Sequence, residues 1–167
     1  MPIPQSHPRT LRALARPLAL AWAAALATGL PGAHAHGDVT PQAVDTKTLP
    51  QLGKEWRTEN PYRGNAAAIQ IGASAYNQNC ARCHGLEAIS GGIAPDLRKL
   101  DNDCATARQP AKKAACVVEI DQYFAGSVRR GKVPNGAVYM PPFEDTLSQE
   151  AVWALKAYLE TRREKPL

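Results

Sequence analysis

Cys80-Ala81-Arg82-Cys83-His84 decides how the rest of this chain is read. The pattern is C-x-x-C-H, the attachment sequence for a c-type haem. Each thiol can add to one vinyl group of the porphyrin, and the histidine that follows is then held beneath the iron as an axial ligand. Two other chemistries share the cysteine spacing. A redox dithiol of the thioredoxin type belongs at the end of a strand in a β-α-β pattern, and no such pattern surrounds residues 80–84. Half of a zinc site needs two further ligands. Cys104 and Cys116 could supply thiols, but their spacing is not that of a second knuckle.

The first 35 residues carry the marks of a secretory signal. Arg9, Arg12 and Arg16 form a basic start without an acid, Leu18 to Leu30 is an apolar run, and Ala33-His34-Ala35 fits the small-x-small cleavage rule. The run is short for a membrane span; an uncleaved anchor is the alternative reading. Cleavage after Ala35 would leave residues 36–167 as one exported, periplasmic domain without stable membrane insertion, in a compartment that suits both haem attachment and disulfides. The whole chain of 167 residues carries a formal charge of +5. Removing the three arginines of the signal from its 20 Lys+Arg leaves about seventeen against 15 Asp+Glu. No basic-aromatic interleaving is present, so nothing argues for nucleic acid.

Residues 36–65 hold Pro41, Pro50, Pro61, Gly53 and Gly64 and lack periodicity, which predicts an extended N-terminal arm anchored by Leu52, Trp56 and Tyr62. His36 would begin the mature chain as a flexible end; an amine-imidazole copper site is the alternative. Residues 66–167 form the domain proper. Ile69, Gly72 or Ala73, Tyr76 and Cys80 recur at helical spacing and predict a helix from Ala66 to about Cys80. Gly91 to Leu97 is rich in turn residues. Pro110 opens a second helix with Val117, Ile120, Phe124 and Val128 as its buried stripe, and Gly131 stops it. Ser148 caps a last helix with Glu150 in its first turn and Val152, Leu155 and Leu159 as the apolar stripe, flanked by Trp153 and Tyr158. Period-two alternation is absent, so the fold class expected is all-α.

Four cysteines less two for haem leave Cys104 and Cys116. In an exported chain they are expected to bond, which would stabilise by about 3 kcal/mol in the chain-entropy model; two separate thiols are the alternative. The second axial position on the iron has few candidates. After the signal, the histidines are His36 and His84 and the methionine is Met140. A thioether raises the reduction potential relative to a second histidine and closes the iron to substrates. Pro141-Pro142 restrict the backbone beside Met140 and could hold its sulfur in place.

These residues carry a resemblance. Gly72-x-x-x-Tyr76-x-x-x-Cys80-x-x-Cys83-His84, Pro95-Asp96-Leu97, Tyr139-Met140-Pro141 and Leu155-x-x-Tyr158 resemble a class I cytochrome c over about residues 66–162. The resemblance implies that Gly72 and Tyr76 meet Leu155 and Tyr158 where the first and last helices cross. It also implies that the Pro95 carbonyl accepts a hydrogen bond from the His84 ring and orients it. His36-Gly37-Asp38-Val39-Thr40-Pro41, Gly53-Lys54-Glu55-Trp56-Arg57, Asn60 to Asn65 and the four-cysteine layout are similar to the periplasmic cytochrome c-550 family associated with PQQ-dependent alcohol dehydrogenases. That similarity implies a quinoprotein ethanol dehydrogenase as electron donor and a terminal oxidase or another cytochrome as acceptor.

The function expected is one-electron transfer by a monomer holding one covalent haem c and its iron, not catalysis. A shuttle between a quinol-oxidising complex and an oxidase is the nearest alternative. A peroxidase or haem sensor would need a labile sixth ligand, and a peroxidase also needs distal acid-base groups. Arg129, Arg130 and Lys132 precede Met140; they could neutralise haem propionates, steer an acidic partner, or form a solvated basic face. Trp56 could donate its indole N–H to a propionate or simply pack the arm.

Overall fold

The computed structural model describes residues 40–167. The export segment, the cleavage site after Ala35 and His36 lie outside the described residues. The described chain is helical: α1 (Ala66–Asn79), α2 (Ala81–His84), α3 (Asn102–Thr106), α4 (Pro110–Arg130) and α5 (Gln149–Thr161), with 3-10 turns at Leu86–Ala88, Leu97–Lys99 and Pro134–Gly136. Among the described residues the β pairing is one isolated antiparallel bridge, Lys132 with Met140. No described helix is long and apolar enough to cross a membrane.

Helix ends fall where local chemistry puts them. Asn65 caps α1, its side chain accepting from the Ala68 N–H at 3.0 Å. Pro110 opens α4, and Gly131 closes it. Ser148 caps α5 by accepting from Ala151 N–H at 3.2 Å. The five-residue α3 has too few positions to show a period, and sequence reading did not find it.

The core centres on the crossing of α1 and α5, the most extensive helix-helix contact among the described residues. A Cβ on Gly72 would overlap the Ala154 carbonyl oxygen and sit 3.0 Å from Tyr158 Cβ, so the crossing needs a glycine. The rings of Tyr76 and Tyr158 pack beside it, centroids 5.3 Å apart. The nearest groups to Gly72 on α5 are the Ala154 carbonyl and Tyr158, the latter as expected.

Two expectations about burial change. In α4, Phe124 and Val128 are buried, but Val117 and Ile120 are only half-covered. There the helix lies against the short α3, to which a Cys104–Cys116 disulfide joins it. In α5 the expected stripe is instead burial all round, from Gln149 to Leu159. The arm supplies part of that cover. Leu49 and Tyr62 are buried, with Leu52 and Trp56 packed against the core. Tyr62 donates its hydroxyl to the Pro50 carbonyl. Gln149 Oε1 accepts from Arg57 N–H at 2.7 Å, and its Nε2 donates to the Glu55 carbonyl at 3.0 Å. Glu150, expected only to favour the helix dipole, accepts from Leu52 N–H at 2.8 Å.

Lys156 on α5 is also buried. Its Nζ lies 2.8 Å from Glu160, 3.2 Å from Asp121 of α4 and 4.0 Å from Asp101. Arg63 of the arm bridges Asp121 at 2.7 Å and Glu160 at 3.0 Å, and Arg163 holds Asp101 at 2.7 Å. A buried charge is tolerated only when paired in this way. The network joins the arm, the approach to α3, α4 and α5.

Candidate haem and metal centre

α1 ends at Cys80, whose N–H still bonds the Tyr76 carbonyl at 2.8 Å. The chain turns at once into α2, so Cys80, Cys83 and His84 occupy one turn and share one side. They line a cavity of about 150 Å³ together with Pro95, Met140 and Phe143. The wall is almost entirely apolar, and Ile93 and Tyr139 at its edge are largely exposed.

Each ligand candidate is held from behind. His84 Nδ1 lies 2.9 Å from the Pro95 carbonyl, which fixes the ring's tautomer and leaves Nε2 as the free nitrogen. The Tyr76 hydroxyl donates to the Gly85 carbonyl at 2.8 Å and pins the residue after His84. Burial raises the Tyr76 pKa, so the hydroxyl stays a donor. Met140 is tied to Lys132 by the isolated bridge. Burial, then the neighbouring Cys83, pushes the Cys80 thiol up to about 12. A thiol so protonated is a poor redox nucleophile.

The donor set fits a haem. Two thiols and an imidazole come from one turn and a thioether from a separate loop, all facing one apolar cavity. Zinc loses its remaining candidates, because Cys104 and Cys116 are bonded to each other, and no cluster of three His, Cys, Asp or Glu stands among the described residues. Trp56 and Arg129 do not line the cavity. The Arg129 guanidinium lies 4.2 Å over the Trp56 ring and bonds Glu144. Sequence reading missed Phe143 in the wall and Tyr76 as the support behind His84, although Tyr76 was noted for its place at the helix crossing.

Residues 67–159 match the family model described as cytochrome C oxidase, cbb3-type, subunit III. The chain belongs to the c-type cytochromes. It is 57% identical over 131 residues to cytochrome c550 of Pseudomonas aeruginosa, covering 76% of this chain and 81% of that one. It is 37% identical over 98 residues to the quinohemoprotein alcohol dehydrogenase ADH-IIG of Pseudomonas putida, covering 59% of this chain but 11% of the enzyme. It is 35% identical over 102 residues to the cbb3-type cytochrome c oxidase subunit FixP of Rhizobium meliloti, covering 59% of this chain and 32% of the subunit. No solved structure matches significantly. Membership of this cytochrome family implies covalently bound haem c with its iron, on the all-α class I fold. This cytochrome is a monohaem electron carrier rather than an enzyme.

Proposed function

We propose that this cytochrome works in the periplasm, carrying single electrons from a PQQ-dependent alcohol dehydrogenase toward a terminal oxidase. The observation that carries the donor is the likeness to a short part of a quinohemoprotein alcohol dehydrogenase. That part covers 11% of the enzyme and 59% of this chain. A free cytochrome of the same kind suits the same donor.

In this reading Cys80 and Cys83 would hold the haem through thioether bonds, and His84 and Met140 would ligate its iron. The haem, when bound, supplies a one-electron ferric-ferrous couple. The chain's own part is to keep both ligands in place through the change. Pro95 orients His84, Tyr76 pins the turn after it, and the apolar wall excludes water, which favours the less charged state of the centre. Cys104–Cys116 fixes α3 on α4 away from these ligands. The signal segment, with cleavage after Ala35, delivers the chain to the compartment where haem is attached.

The test mixes purified oxidised cytochrome with a reduced PQQ alcohol dehydrogenase from the same cell and follows haem absorbance. Rapid reduction is expected. No reduction would leave the second reading, a shuttle between a quinol-oxidising complex and an oxidase, which the likeness to a cbb3-type oxidase subunit favours. The ligand assignment has its own test: Met140→Ala should lose the far-red ferric band of sulfur-iron ligation, lower the potential and admit added ligands. Unchanged spectra would mean that another group holds the iron.

A further inference from the structure

The chain leaves α4 at Gly131 and runs directly into the backbone pairing that carries Met140. Lys132 N–H donates to the Met140 carbonyl at 2.8 Å, and Met140 N–H returns a bond to the Lys132 carbonyl at 3.2 Å. Past the two prolines, Phe143 N–H donates to the Val128 carbonyl at 3.1 Å and Glu144 N–H to the Arg129 carbonyl at 3.2 Å. These are carbonyls that the end of α4 leaves without helical partners. Residues 140–144 are thus stapled by their backbone to the last turn of α4.

Gly131 sits inside that junction at φ +66. A Cβ there would overlap the Met140 carbonyl oxygen and lie 2.7 Å from both the Pro141 carbonyl carbon and the Pro142 nitrogen. All three are backbone atoms, in a stretch that Pro141 and Pro142 make stiff. Gly136, at the tip of the same loop, also has positive φ, at +79, yet its Cβ would meet nothing within 4 Å. The loop therefore contains one glycine required by conformation alone and one required by close approach to the Met140 segment.

We propose that Gly131 is a positioning residue for the Met140 thioether: the missing Cβ lets the Met140–Pro142 backbone seat against the end of α4, and that seat sets where the sulfur stands in the cavity. The proposal rests on Met140 as the iron ligand. It assigns the strength of the iron-sulfur bond partly to a residue outside the cavity lining.

The test uses holoprotein and three substitutions. Gly131→Ala carries both the collision and the positive-φ penalty. Gly136→Ala carries the φ penalty alone, in the same loop. Gly72→Ala carries a backbone collision at the α1–α5 crossing, away from Met140. The readouts are the far-red ferric band and the affinity of the ferric protein for added imidazole, which competes with the sulfur for iron. Gly131→Ala is expected to bind imidazole about tenfold tighter and to show a weakened band, with the imidazole affinities of the folded fraction of the other two within about twofold of the parent. An unchanged affinity in Gly131→Ala, or an equal gain in Gly136→Ala, overturns the proposal.

A second measurement needs no variant. If the seat and the sulfur are coupled, the coupling is reciprocal. Saturating imidazole should then speed amide exchange at Lys132 and Met140 while amides of α1 keep their rates; unchanged exchange at Lys132 and Met140 overturns the proposal. Failure of the ligand assignment is separately visible, since Met140→Ala would then keep its far-red band.

Discussion

Replacing Lys156 by methionine tests whether the charge network behind the core holds this fold together. Lys156 is 1% exposed, and its ammonium is within 2.8 Å of Glu160 and 3.2 Å of Asp121. Methionine has similar length and fills the space, so packing loss is small. What remains is an unbalanced site: Asp121 and Glu160, 0% and 6% exposed at the side chain, with Arg63 bridging both and Arg163 3.6 Å from Glu160. Breaking a buried pair by removing one member costs about 3–5 kcal/mol. Guanidinium unfolding at pH 7, followed by far-ultraviolet circular dichroism, should show a loss of that size with the slope unchanged.

The pH dependence sharpens the test. Burial raises the Glu160 pKa, but the charge of Lys156 and hydrogen bonds from Arg63 and Lys156 outweigh it, and the value lies below the usual 4.5. A carboxylate whose folded pKa is depressed stabilises the fold above its unfolded pKa, and that contribution disappears as pH falls through the folded value. Lys156 is the source of part of that depression. The gap between parent and Lys156→Met should therefore be widest near neutrality and narrow below pH 4.5. A loss under about 1 kcal/mol at pH 7, or a gap that widens on acidification, would refute the reasoning.

Other expectations follow from single contacts. Cys104→Ser with Cys116→Ser removes the disulfide and should cost about 3 kcal/mol in unfolding while the haem spectrum stays as it was; a lost far-red band would show that the bridge also supports the ligands. Burial, then the charge of Glu150, pushes Tyr62 from 10.0 up to about 12, so its contribution is complete below pH 10 and is lost as pH rises toward 12. Tyr62→Phe should flatten that alkaline fall in the unfolding midpoint, and an equally steep fall would contradict it. Gln149→Ala leaves Arg57 N–H and the Glu55 carbonyl unpartnered and should cost about 2 kcal/mol. Trypsin should then cut faster after Lys54 and Arg57; equal cleavage would mean the arm is held by its apolar anchors alone.

What sequence could reach in this chain depended on range. The ends of α4 and the start of α5 were legible because Pro110, Gly131 and Ser148 act on their own neighbouring residues. The five residues from Cys80 to His84 were legible because their chemistry is packed into one turn. Met140 emerged by scarcity, since few other groups were left to bind iron. Lys156 was not legible: on α5 it reads as a solvent-facing cation, and only Asp101 and Asp121 brought by other segments make it a buried one. Glu150 misled in the same way, since as a first-turn acid it looks local, while its partner, Leu52 N–H, lies on the arm. Arg129 had three readings from sequence, and neither Trp56 nor Glu144 could be chosen as its partner without the fold.

In the ligation proposed above neither iron ligand comes from α5, yet α5 is buried on every side. His84 follows α1 directly, and Met140 hangs from the end of α4. Both helices rest on α5, α1 through the Gly72 crossing and α4 through the Asp121–Lys156 pair. A carrier must keep both axial ligands at fixed distance while the iron changes charge, since ligand motion would add to the cost of each transfer. Two ligands on one flexible loop could not meet that demand. Two helices referred to one common base can, and the arm, bonded to Gln149 and Glu150, covers the start of that base. With the proposed ligands, the all-round burial of α5 makes it the shared base for the two helices that lead to them, and the charge network ties α4 to it.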